Sequence, residues 1–215
     1  MKITPSSGSA IVPSNFTSDV NIYDIYNVAV ATADASMGSV SGGNAEAMSG
    51  TPMTVTATPV TGYDFVAWKD GDTQVSTDAA YTFTPTKSIT LTATFKAHVY
   101  TATFTSEGKS ENKNIAFGEA VTAPTPATKT GYTFSGWDNL PQTMPAQDIT
   151  VTALYTKNKY KVTFDVDGVK TESELEYNAA ITKPQDPTKE GYTFAGWNPA
   201  VPANVPASAV TYTAT

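Results

Sequence analysis

One seven-residue pattern, Gly-Tyr-x-Phe-x-x-Trp, occurs three times in this chain and constrains its fold more than any other feature. It reads Gly62-Tyr63-Asp64-Phe65-Val66-Ala67-Trp68, Gly131-Tyr132-Thr133-Phe134-Ser135-Gly136-Trp137 and Gly191-Tyr192-Thr193-Phe194-Ala195-Gly196-Trp197. The glycines stand 69 and then 60 positions apart, and all three tryptophans of the 215 residues lie inside the pattern. Self-similarity at such a period marks an array of small units rather than one large domain. Units of this size bury little surface each, so docking between neighbours contributes to their stability.

The surroundings of the pattern repeat as well. Upstream lies an alternating strand, with Tyr160, Val162, Phe164 and Val166 on one face and Lys161, Thr163 and Asp165 on the other. The matching sets are Tyr100, Ala102 and Phe104, and Tyr26, Val28 and Val30. Period two with aromatic and β-branched residues predicts a half-buried strand. Asp167-Gly168 predicts a tight hairpin turn into Val169–Tyr177. The stretches Ala123-Pro124-Thr125-Pro126 and Lys183-Pro184-Gln185-Asp186-Pro187 predict extended, non-helical connections. Downstream comes a closing strand whose inward positions are Ile89, Leu91, Ala93 and Phe95, then Ile149, Val151, Ala153 and Tyr155, then Val210, Tyr212 and Ala214. The third series stops at Thr215, one position before an aromatic is due, which predicts a repeat cut short within a longer array. The first repeat differs. It carries Gly38-Ser39-Val40-Ser41-Gly42-Gly43 before its second strand, a further strand from Met53 to Thr58, and an added hairpin at Asp70-Gly71-Asp72 leading to Tyr81-Thr82-Phe83. No segment keeps a helical period for more than two turns.

Composition excludes several functions. Thirteen lysines face twenty acids for a net charge of −7, and there is no arginine. Nucleic-acid binders need a basic face and rely on arginine for base contacts, so no nucleic-acid partner is expected. Cysteine is absent, which removes disulfides, thiolate metal sites and a cysteine nucleophile. No apolar run approaches the roughly 18–20 residues that span a bilayer, so no membrane insertion is expected. The segment Met1-Lys2-Ile3-Thr4-Pro5-Ser6-Ser7-Gly8 lacks the apolar stretch of a secretory signal, so either a signal has been removed or another route is used.

Catalytic chemistry is hard to assemble from what remains. His98 is the single histidine and sits between repeats, so any histidine-dependent triad or metal site would have to use it; a solvated linker side chain is the simpler reading. Asp165, Asp167 and Gly168, with Glu176 in twelfth position, faintly resemble a calcium loop, but the glycine falls at position four instead of six and a hairpin turn explains the same residues. Glu172, Glu174 and Glu176 read as the solvated face of a strand whose like charges discourage edge pairing. No catalytic, cofactor-binding or metal-ligating residue is assigned. The tryptophans leave two readings open. On a regular strand Trp137 points away from Tyr132 and Phe134; a bulge at Gly136, and likewise at Gly196, returns the indole to the core. Without the bulge, three exposed indoles would offer a multivalent surface for stacking sugars.

At this point the third repeat, from Tyr160-Lys161-Val162-Thr163-Phe164 through Gly191–Asn198 to Val210–Ala214, closely resembles the internalin B-type, or Listeria–Bacteroides, repeat. The second follows the same pattern, and the first, through Gly38-Ser39-Val40 and Gly62–Trp68, resembles its divergent form. The resemblance implies a small β-grasp-like sheet with its helix reduced or replaced by strands, and a place in multidomain bacterial surface proteins. It implies no agreed catalytic activity or ligand. The resulting expectation is an all-β chain of tandem β-grasp-like domains arranged as an elongated rod: a leader or docking segment 1–25, a divergent repeat 26–97, and repeats 98–157 and 158–215. The short linkers Lys96-Ala97-His98 and Thr156-Lys157-Asn158-Lys159 predict limited bending, and three repeats end to end would reach roughly 80–100 Å at the rise of a strand. The expected role is a non-enzymatic stalk outside the cell, on the bacterial surface, that spaces or presents an adhesion domain, with a host-surface protein or glycan as partner. The alternative is a phage virion component, its leader Ile11-Val12-Pro13-Ser14-Asn15-Phe16 docked on capsid or tail proteins.

Overall fold

The computed structural model describes residues 23–215, which form sixteen β-strands and, among the described residues, no helix. Most of the leader therefore lies outside the described residues. Two compact units are present, one reaching to Lys96 and the other running from Ala97 to Thr215.

The first unit holds β1 (Ile25–Thr32), β2 (Gly38–Ser41), β3 (Ala45–Met48), β4 (Met53–Pro59), β5 (Tyr63–Asp70), β6 (Thr73–Ser76), β7 (Ala80–Phe83) and β8 (Ile89–Ala97). They build a five-stranded sheet in the order β3-β1-β8-β5-β6 and a three-stranded sheet in the order β2-β4-β7. The hairpin expected at Asp70-Gly71-Asp72 joins β5 to β6. The glycine-rich Gly38–Ser41 is itself a strand, pairing Val40 with Ala57 of β4. Val28, Leu91, Ala93 and Trp68 from one sheet meet Val55 and Ala57 from the other in a single core.

The second unit contains two repeats of one plan. Strands β9 (Val99–Ser106), β10 (Lys109–Ala116), β11 (Tyr132–Asp138) and β12 (Ile149–Lys157) form a sheet in the order β10-β9-β12-β11. Strands β13 (Lys159–Val166), β14 (Val169–Glu176), β15 (Trp197–Asn198) and β16 (Val210–Ala214) repeat it as β14-β13-β16-β15. The hairpin turn falls at Asp167-Gly168 as expected, with φ of 49° and 86°, the paired positive values of a type I′ turn. First and last strands run parallel in every repeat: Val30 opposite Leu91, Phe104 opposite Val151, and Phe164 opposite Tyr212. Parallel neighbours require a crossover connection, and that connection covers one face of the sheet. Where an α/β protein would place a helix, these repeats place extended chain. A single bridge between Ala120 and Thr143 closes the cover in the second repeat, and one between Ala180 and Asn204 in the third. They drive Met144 and Val205 into the two cores, at 1% and 2% exposure. In the first repeat the three-stranded sheet takes that covering place.

The tryptophans resolve through a bulge. The β11–β12 register slips between Phe134 and Gly136, so that Phe134 faces Tyr155 and Trp137 faces Ala153 on the same side of the sheet. Gly136 adopts φ 145° and Gly196 φ 133°, values that a side chain would strain. Trp137 consequently meets Phe104 edge-on at 5.4 Å, and Trp197 meets Phe164 at 4.9 Å. Trp68 is wholly buried, its Nε1–H donating to the carbonyl of Ala79 at 3.2 Å. Replacing Trp68 with Ala is expected to cost about 3–5 kcal/mol, as deletion of a large buried aromatic does. Gly136→Val is expected to cost about 1–3 kcal/mol through backbone strain alone, since the space beside it is open. Chemical denaturation of the two variants against the parent chain measures both.

Candidate functional site

The positions singled out for chemistry are dispersed. His98 lies half-buried with its ring 4.6 Å from that of Tyr100, and its carbonyl accepts the Phe117 N–H at 2.8 Å. Asp165 accepts the Gly168 N–H at 2.8 Å, closing the hairpin turn, and Asp167 pairs with Lys189 at 2.9 Å. Glu176 stands at the opposite end of that hairpin, facing Lys159. The four residues with calcium-loop spacing are therefore not brought around a common point. Among the described residues no three His, Asp or Glu side chains gather as a metal would need. Glu172 and Glu174 lie on β14, the edge strand of its sheet, and Glu172 pairs across to Lys161 at 2.8 Å.

The indoles do not form a row of three exposed platforms, because Trp68 is fully enclosed. Trp137 is half-buried and forms part of a shallow groove of about 430 Å³ with Phe104, Ser106, Lys109, Pro124 and Thr125. Trp197 Nε1 is buried and has no hydrogen-bond partner.

The most elaborate arrangement lies between the second and third repeats. Only Asn158 separates β12 from β13. Its N–H donates to the Gly131 carbonyl at 2.9 Å, its carbonyl accepts the Tyr177 N–H at 2.8 Å, and its Oδ1 accepts from Thr133 Oγ1 at 2.6 Å. The Tyr177 ring packs edge-on against Tyr132 at 5.8 Å and Tyr160 at 6.5 Å. It also lies directly over Gly131, where an added Cβ would come within 2.2 Å of Tyr177 Cγ. Gly131 thus serves two needs, a φ of 78° and a bare surface for the ring. Lys129 fixes the near side, pairing with Glu107 at 2.8 Å while its Nζ sits 4.7 Å from the Tyr132 ring centre. Lys189 does the same with Asp167 and Tyr192, at 2.9 and 4.8 Å. The sequence pattern flags Gly131 and Tyr132 but not Tyr177, whose role needs the hairpin to fold back 46 residues later. The signal available is that a tyrosine, Tyr177, directly follows the strand after Asp167-Gly168.

Geometry of this kind, small mixed sheets in tandem with a built joint and dispersed polar groups, defines a class: tandem β-grasp-like repeat proteins. The model of the divergent InlB B-repeat domain matches residues 26–99, and that of the Listeria-Bacteroides repeat domain matches residues 100–154 and 160–208. The chain belongs to the internalin B-type repeat family. It is 42% identical to Internalin H of Listeria monocytogenes over 108 residues, covering 46% of this chain and 20% of that protein. It is also 32% identical to a "Putative membrane protein" of Evansella cellulosilytica over 149 residues, covering 63% of this chain and 22% of that one. The chain thus spans about a fifth of the length of these relatives.

Two outcomes are expected. Gly131→Ala or Tyr177→Ala should uncouple the repeats of the second unit, so that one unfolding transition followed by hydrogen exchange separates into two. Stability should also fall outside a central pH window. Hydrogen bonding to Glu107 raises the Lys129 pKa above its usual 10.5, and burial raises that of Tyr212 above 10.0. Groups raised on folding stabilise fully below their unfolded values and lose that contribution as pH climbs through the folded ones. Hydrogen bonds from Ser36 lower the Asp34 pKa below 3.8, and that contribution disappears as pH falls through the folded value. Denaturation midpoints measured across pH should therefore decline above about 10 and again below about 4, and Tyr212→Phe should lessen the alkaline decline.

Proposed function

We propose that this chain is a non-enzymatic, surface-displayed stalk that spaces or presents a binding or adhesion domain, with weak contacts of its own to a host-surface protein or glycan. The observation that carries the reading is the joint at Gly131, Asn158 and Tyr177. It spends aromatic burial and side-chain hydrogen bonds on holding one repeat against the next. Spacing a partner at a fixed distance asks for such a joint. Membership of the internalin B-type family supports the same reading, as do relatives whose names are those of an internalin and of a membrane protein. Thr101, Thr103 and Thr105 on β9, beside Thr150 and Thr152 on β12, give one face of the central strand pair a polar and uncharged character. None of the relatives named above is a virion protein by description, and the leader segment that motivated the virion alternative lies outside the described residues.

Antibodies against the repeats are expected to label intact producing cells, and brief protease treatment of whole cells to remove the label. Labelling only after lysis would defeat surface display. Small-angle scattering of the full chain addresses the stalk independently: a maximum dimension near that of a compact globule of the same mass would defeat it.

A further inference from the structure

The groove beside Trp137 is held open at both ends. At one end Lys113 Nζ reaches from the edge strand β10 and donates to the Thr122 carbonyl at 3.1 Å. At the other, Ser106 Oγ on β9 accepts the Ala127 N–H at 2.8 Å, and the Tyr155 hydroxyl donates to the Ala127 carbonyl. Between these two ties the crossing chain runs through Pro124 and Pro126, whose rings fix φ. The chain is thereby kept off the sheet, and a space of about 430 Å³ persists between it and β10. A cleft of that size, with an aromatic base and a few polar groups, is the usual form of a small-ligand site.

Base and rim differ in character. Phe104 and Trp137 form the base, their rings 5.4 Å apart at 75°, while Phe134 meets the same indole at 66°. Neither phenyl ring lies parallel to the indole, so neither is stacked flat upon it. The rim carries Lys109, Ser110 and Glu111 on one side and Thr125 on the other. These supply hydroxyls, an ammonium that only donates and a carboxylate that only accepts. The third repeat keeps the base as Phe164 and Trp197 but changes the rim. Val169 stands at the place of Lys109 and Thr171 at that of Glu111, and Trp197 Nε1 is buried. In the first repeat Trp68 is wholly enclosed. Of the three repeats, the second combines a half-buried indole with a charged rim.

We propose that this groove binds a neutral hexose unit of a glycan chain. A pyranose ring presents a face of C–H groups, which the electron-rich face of an indole attracts, and a rim of hydroxyls that both donate and accept. The C–H face would lie on Trp137, one sugar hydroxyl would donate to Glu111, and another would accept from Lys109. An acidic sugar would set its carboxylate against that of Glu111. A peptide strand would pair along the free edge of β10, in the plane of the sheet, and not over the indole. The inference rests on the proposed contact with a surface glycan and names its site; the spacing role of the chain does not depend on it. Cell labelling and scattering test display and shape, whereas binding by the purified chain tests this groove alone.

The full chain has three indole N–H groups, which give three separate signals in a proton–nitrogen NMR spectrum. Cellotetraose, maltotetraose and mannotetraose, each added at millimolar concentration, are the neutral probes. Tetragalacturonic acid is the acidic probe and a proline-rich decapeptide the peptide one. At least one neutral tetrasaccharide should shift the Trp137 signal and leave those of Trp68 and Trp197 in place. Lys109→Val with Glu111→Thr places the third repeat's residues at two exposed positions, so the denaturation midpoint should hold. The same double variant should bind that saccharide about tenfold more weakly, as loss of charged hydrogen bonds dictates. The proposal is overturned if no neutral saccharide moves the Trp137 signal, if only the acidic saccharide or the peptide does, or if the double variant binds as tightly as the parent.

Discussion

Everything in a repeat follows from the parallel pairing of its first strand with its last. Residues more than 45 positions apart, such as Phe104 and Val151, sit side by side at the centre of the sheet. In the second and third repeats the first hairpin then occupies one edge and the Gly-Tyr-x-Phe-x-x-Trp strand the other; in the first, β6 adds one strand beyond it. In each the intervening chain must pass over a face. Because that cover has no helix, it must find its own backbone partners. The short bridges at Ala120–Thr143 and Ala180–Asn204 supply them and carry Met144 and Val205 inward. The first repeat answers the same demand with a three-stranded sheet, which is why it needs more residues and why its core closes completely around Trp68.

Much of this was legible in the residues. Alternation in Tyr160–Val166 and Ile149–Tyr155 identified strands and their inward faces. Asp167-Gly168 identified a turn, and Gly136 two residues after Phe134 located the bulge that brings the indole round. These are local signals, read from neighbours in sequence. What escaped was non-local. Met144 and Val205 sit in loops without periodicity, flagged only by their shared setting, since Pro141 and Pro145 flank one as Pro202 and Pro206 flank the other. Gly38–Ser41 looked like a glycine-rich lead-in because its strand character comes from pairing with β4. The joint was invisible for the same reason: nothing near Gly131 in sequence announces the ring of Tyr177.

The repeats also differ where difference is cheap. The brace is Lys129 with Glu107 in one and Lys189 with Asp167 in the other, a change of one methylene at an exposed ion pair that contributes little to stability. The serine at 106, whose hydroxyl bonds to that of Tyr155, becomes valine at 166, and the sheet keeps its plan. The edge strand β14 carries Glu172, Glu174 and Glu176, whereas its counterpart β10 carries Glu111 and Lys113. Edge strands invite unwanted pairing, and the row of carboxylates repels another edge of like charge.

The parallel ladder has a mechanical side as well. In β9 and β12 the chain enters at one end of the pair and leaves at the other, so tension along the chain pulls the two strands past each other lengthwise. All the hydrogen bonds between them then bear the load together, as rivets in a lap joint do, instead of parting one after another as in a peeled hairpin. Val28–Thr32 against Ile89–Ala93, and Val162–Asp165 against Val210–Thr213, repeat that arrangement. A string of such units resists stretching at every link, and the closing strand that completes each core is also the strand that hands the load to the next repeat.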